Sequence, residues 1–177
     1  VITNSDDRVP SVLSSLGLRV SPLRFGRPFN HAEVTGQQFD IDLHCMSYDA
    51  GCAKPDRRIF DAAEGMADEL LAAQSNDDPD RAHPDAGKET VPWLKLYVGD
   101  EYEKDVLGAR GAGWNSVFVG SSEDVPGQES ILSLDELGAR ALEDVFPDDG
   151  PPLTIRTERT QKLLEWLARY AADASDG

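Results

Sequence analysis

Trp93-Leu94-Lys95-Leu96-Tyr97-Val98-Gly99-Asp100-Glu101-Tyr102-Glu103-Lys104-Asp105 settles the class of fold, because an apolar run suited to a buried strand empties directly into a glycine and a group of acids. The run reads as a strand, Gly99-Asp100 as its break, and Val106, Leu107 and Ala109 as the apolar side of a helix that follows. Asn115 to Val119 then gives another strand. Upstream, Phe39, Ile41, Leu43 and Cys45 alternate with Asp40, Asp42 and His44, which predicts a half-buried strand over 39–46 with the second set facing away from the core. Pro55 and Asp56 open a helix whose Ile59, Phe60, Ala63, Met66, Ala67 and Leu70 form one stripe ending near Ala73. Nearer the start, Asp6 and Asp7 offer caps for a helix carrying Val9, Val12, Leu13 and Leu16, with Gly17 as its stop. Residues 19–38 read as a loop with room for one short helix. Downstream, Leu134, Leu137, Ala141 and Leu142 predict a helix, residues 147–152 a breaker, and Leu163, Trp166, Leu167 and Tyr170 a terminal amphipathic helix. Strands alternating with helices predict an α/β protein, a Rossmann-like parallel sheet with helices on both faces.

Composition narrows the class further. The chain has 177 residues, 40% hydrophobic and 28% charged, which suits a globular protein with one real core. With 33 acids against 17 bases the formal charge is −16, a field that repels phosphate backbones and anionic lipid, so no nucleic acid and no membrane partner is expected. No apolar run approaches membrane-spanning length. Cys45 and Cys52 would close only a small loop, which predicts free thiols in a reducing, cytoplasmic setting. The chain begins Val1-Ile2-Thr3 without an initiator methionine or signal-peptide pattern, which predicts that its true start lies elsewhere. Residues 74–92 are polar, with two prolines and a glycine in SNDDPDRAHPDAGKET, and predict a mobile surface insertion.

Ligands of parallel α/β sheets bind beyond the carboxyl ends of the strands, so polar residues in those places come first. Ile2-Thr3-Asn4-Ser5 puts a hydroxyl and an amide between a strand and a helix start, which suits phosphate oxygens, though a cluster of helix caps accounts for it equally. Ala53-Lys54-Pro55-Asp56 sets a lysine before a proline-initiated helix, where its ammonium could neutralise an anion, or simply be a surface lysine. Asp100 and Asp105 lie five apart across a helix start and suit Mg²⁺, which takes oxygen ligands and keeps several waters. Capping by one aspartate explains neither Gly99 nor the second acid.

Taken together, and in this order, VITNSDDR, KPDRRIF and LYVGDEYEKD resemble the second, third and fourth motifs of the haloacid dehalogenase superfamily. VLGARGAGWNSVFV is also similar to the helix, glycine turn and strand that follow there, and the likeness covers residues 1–137. The resemblance implies that Thr3, with Asn4 beside it, and Lys54 bind the phosphoryl group of a small phosphorylated substrate. Thr3 and Lys54 would then be catalytic, and Asp100 and Asp105 would be the ligands of a Mg²⁺ cofactor.

The departure from the family is in its first motif, a strand ending in D-x-D whose first aspartate attacks phosphorus. Asp40-Ile41-Asp42 follows Gly36-Gln37-Gln38 rather than an apolar strand, and its acids share one polar face, so it does not qualify. The resemblance therefore implies a partial core over 1–146, incomplete for want of its N-terminal central strand and of the segment that often holds a substrate-selecting cap, followed by a helical extension over 147–177. It further implies a Mg²⁺-dependent phosphatase working through an aspartyl-phosphate in the intact protein, with this chain inactive alone. Two unpartnered strand edges predict a homodimer or a retained N-terminal segment. The rival reading is a non-catalytic pseudoenzyme or interaction module.

Overall fold

The computed structural model describes residues 1–28, 30, 33–34, 36–76, 94–127, 131–138, 140, 142–146 and 150–173. They belong to two compact units, Val1–Thr90 and Val91–Gly177. Both contain parallel strands with helices, the α/β class that the alternation of elements predicts.

In the first unit, β1 (Ile2–Thr3) pairs in parallel with β2 (Cys45–Met46), Ile2 opposite Cys45 and Thr3 opposite Met46. The strand expected over 39–46 is shorter than its alternation suggests. Residues 39–44 instead follow 19–24 through two isolated parallel bridges, Val20 to Ile41 and Arg24 to His44. Arg19 donates from its main chain and guanidinium to Asp40 at 2.8 and 2.9 Å, which ties the two segments together. Asp40 and Asp42 are exposed as expected, but His44 is only 3% exposed. Its expected place on the polar face is wrong because Cys45 and Met46 are also fully buried, so both sides of the chain are covered here.

Helix α1 (Val9–Ser15) has Arg8 at its cap position and no capping side chain. Asp6, expected to cap the helix, is taken by Arg8, accepting from its main-chain N–H at 3.1 Å and from its guanidinium at 2.7 Å. The chain leaves α1 through Gly17 at φ 90°, a left-handed turn that favours glycine. After the short α2 (Ser47–Ala50), α3 (Arg57–Asn76) starts where the Asp56 carboxylate accepts the Arg58 N–H at 3.0 Å. It packs against β1 and β2, burying Ile59, Phe60, Ala63 and Met66. The helix runs to Asn76, so the first residues of the expected insertion are helical. Residues 77–92 lie outside the described residues.

The second unit has a four-stranded parallel sheet in the order β3 (Leu96–Gly99), β4 (Asn115–Val119), β6 (Thr154–Thr157), β5 (Leu132–Ser133). A π-helical turn (Tyr102–Val106) and α4 (Leu107–Gly111) join β3 to β4. Helices α5 (Leu134–Leu137) and α6 (Leu142–Val145) lead to β6, and α7 (Thr160–Asp173) follows it. Neighbouring residues of β4 feed opposite faces. Val117 joins Ile155, Leu134, Leu137, Phe146, Leu163 and Trp166 in one core, whereas Phe118 joins Tyr102, Val106 and Val125 in the other. The terminal helix forms as its apolar spacing requires, with Trp166 donating from Nε1 to the Arg140 carbonyl at 3.1 Å. The sequence reading passed over β6, which lies inside the segment taken for a helical extension. Ser116 and Thr154 hydroxyls meet across the β4–β6 ladder at 2.8 Å.

Candidate functional site

Thr3 ends β1 half-buried, and the loop after it is held by side-chain and main-chain bonds. The Asn4 carboxamide pairs twice with the main chain of Lys54: Nδ2 donates to the Lys54 carbonyl at 3.0 Å, and the Lys54 N–H donates to Oδ1 at 2.7 Å. The Ser5 carbonyl accepts from the Tyr48 N–H and from the Ser47 hydroxyl, both at 3.2 Å. The first unit thus brings the loop carrying Asn4 and the turn carrying Lys54 together across 50 residues of sequence. Lys54 is half-buried, its peptide bond to Pro55 is cis, and α3 begins at Arg57. Asp56, two residues on, is held near pKa 2 by its hydrogen bonds from Arg58, with which it forms an ion pair.

Asp100 and Asp105 lie in the second unit at the carboxyl end of β3. Asp100 is exposed and Asp105 is 3% exposed. The π-helical turn carries Asp105 back over the strand end, where its Oδ2 accepts the Glu101 N–H at 2.9 Å. The approach is close. A Cβ on Gly99 would collide with the Asp105 carboxyl group, so any larger residue there has to displace Asp105. Lys104 makes an ion pair with Glu101, which occupies the acid next to Asp100. Among the described residues no group of three or more metal-ligating side chains forms. One exposed and one buried carboxylate at a strand end still suit Mg²⁺, which is commonly held by one or two carboxylates with waters and substrate phosphate completing its shell.

The sequence reading missed a further buried polar group in the first unit. Arg24 and Asp49 form a bidentate ion pair at 2.8 and 2.6 Å, largely shielded from solvent. Their signal was hidden because Arg24 lies in a segment with no period and Asp49 in a four-residue helix. An open cleft of about 470 Å³ is lined by Leu23, Arg24, Phe25, Asp61, Met66 and Glu69. None of Thr3, Asn4 or Lys54 lines it, so this cleft and the motif residues are separate. Cys45 and Cys52 are both free thiols, and burial pushes Cys45 up to about 11, which leaves it an inert core group.

Comparison with known proteins bears on the class of this site. No protein-family model matches the chain, and no solved structure matches it. An uncharacterized hydrolase of Schizosaccharomyces pombe is 30% identical over 118 residues, covering 67% of this chain and 37% of that protein. A haloacid dehalogenase-like hydrolase domain-containing protein 3 of Bos taurus is 27% identical over 145 residues, covering 77% of this chain and 42% of that protein. The two likenesses suggest a hydrolase family, the haloacid dehalogenase-like one. The chain spans about two fifths of the length of these curated relatives. Among the described residues no helix is long and apolar enough to cross a membrane.

Proposed function

We propose that this chain is part of a haloacid dehalogenase-like hydrolase that cleaves small phosphate esters with Mg²⁺ and whose attacking aspartate lies outside these 177 residues. The observation that carries the reading is the end of β3, where Gly99 yields its side-chain space to Asp105 one residue before exposed Asp100. The Asp105 carboxyl also holds the Glu101 N–H, and with Asp100 it gathers negative charge at the strand end where a cation would be held. Magnesium bound there would supply positive charge of the kind phosphoryl transfer uses. The Thr3 hydroxyl donates to a phosphoryl oxygen, and the Lys54 ammonium offsets charge on the attacking carboxylate and on phosphorus. In the covalent step a carboxylate oxygen bonds to phosphorus as the ester P–O bond breaks and the leaving alcohol takes a proton. Water then hydrolyses the acyl phosphate.

The test is turnover of an aryl phosphate in Mg²⁺ by the isolated chain, by the full-length protein, and by full-length Asp100→Asn. Activity is expected in the full-length protein alone, with the variant lowered at least about 100-fold. Turnover by the isolated chain that vanishes with Asp100→Asn would overturn the proposal, since a nucleophile would then have to lie within it.

A further inference from the structure

We infer that Asn4 is a positioning residue for Lys54 rather than a contact for substrate. The inference rests on the reading of Lys54 as a phosphoryl-binding group. A carboxamide has one acceptor face and one donor face, and both faces of Asn4 point at the same residue. The Lys54 N–H reaches Oδ1 at 2.7 Å, and Nδ2 reaches the Lys54 carbonyl at 3.0 Å. This is how one strand residue pairs with another, carried out by a side chain. It fixes the main chain of Lys54 in position and orientation relative to Thr3, the residue before Asn4. The two bonds join segments 50 residues apart, and no ladder connects them, since β1 pairs with Cys45–Met46 and not with residues 53–55.

A long flexible lysine gains most from such a clamp. Its ammonium can serve a site beside Thr3 only if the Cα it swings from is fixed, because small displacements of a charged group cost large factors in rate. The clamp takes one of the two Nδ2 hydrogens and one lone pair of Oδ1, so the orientation of the amide is set by the Lys54 main chain and not by a ligand. An aspartate at position 4 would keep the acceptor and place an oxygen against that carbonyl, so it should undo half of the clamp.

The experiment is a double-mutant cycle on the full-length protein with an aryl phosphate, joined to amide exchange on the 177-residue chain. Lys54→Ala is expected to lower kcat at least about 100-fold. Asn4→Ala should lower it about 10-fold or more, Asn4→Asp less, and the double variant should match Lys54→Ala alone within twofold. In the isolated chain Asn4→Ala should speed exchange of the Lys54 amide at least about 10-fold while the Cys45 amide, which donates to the Val1 carbonyl beside β1, is unchanged. Effects of Asn4→Ala and Lys54→Ala that multiply would overturn the inference, because Asn4 would then touch substrate itself. So would unaltered activity or unaltered Lys54 exchange in Asn4→Ala. A silent Lys54→Ala beside a raised Lys54 exchange in Asn4→Ala would instead sink the reading of Lys54 and leave the clamp standing as a structural contact.

Discussion

Gly99 carries no side chain because the Asp105 carboxyl already fills the volume a Cβ would take. Gly99→Ala must push a buried acid out of its hydrogen bond to the Glu101 N–H, and overpacking of that kind costs about 1–3 kcal/mol. Urea unfolding of the isolated chain measures the loss. Adding Asp105→Ala should recover part of it, since the two changes share one space, and strictly additive losses would refute the steric account. His44 gives the second prediction at this scale. In the isolated chain burial, helped by the positive charges of the Val1 amine and Arg24 and opposed by Asp49, depresses its pKa to about 4 from 6.5, and its Nδ1 has no hydrogen-bond partner. Between those two values the unfolded chain binds the proton and the folded chain does not. Stability is therefore complete above about pH 6.5 and is lost as pH falls towards 4, with a slope of at most about 1.4 kcal/mol per pH unit from this group. His44→Gln, which cannot be protonated, should flatten that stretch of the stability curve, and an unchanged slope would show that other groups set it.

Strand β6 is the element on which the sequence and the structure part company. Thr154-Ile155-Arg156-Thr157 alternates, with Ile155 buried at 1%, and it lies between β4 and β5 rather than at an edge. A chain ending after Phe146 should therefore lose the fold of the second unit altogether, not merely an appended helix. The amide spectrum decides this, because retained dispersed signals from β3 and β4 would show that β6 is dispensable. Such a strand escapes a reading by periodicity because five residues between Pro152 and an exposed Glu158 offer too short a window, and its place in the sheet depends on partners far away. The same limit explains the two-residue strands β1, β2 and β5, which exist by virtue of pairing alone. Long elements were legible. The stripe Ile59, Phe60, Ala63, Met66 and the pair Leu163 and Trp166 face cores as their spacing requires. The candidate site was legible as residue types at strand ends, but not in its supports. Nothing in the spacing of Asn4 and Lys54 announces their paired hydrogen bonds, and nothing in Gly99 announces which atom needs its space.

At the scale of the whole molecule the charge of −16 dominates. Exposed ion pairs such as Arg57–Asp61 and Arg58–Asp56 neutralise some acids locally and add little stability, so the surplus repels itself. The melting temperature is expected to rise as sodium chloride goes from about 0.02 to 0.5 M, where the screening length shrinks to a few ångströms. A melting temperature that falls over that range would mean that favourable pairs outweigh the repulsion. The order of strands has a consequence of another kind, for synthesis. A ribosome delivers β3, β4 and β5 before β6, yet β6 is the strand that joins β4 to β5, with Ser116 waiting for Thr154 over 38 residues. At roughly 5–20 residues per second the interval from Ser133 to Thr154 lasts about 1–4 s, during which a nascent chain holds open strand edges with nothing of its own to place against them. Slow codons over 134–153 lengthen that exposure, and the soluble fraction recovered from cells is expected to fall with them. The same codons placed after residue 173 should leave it unchanged.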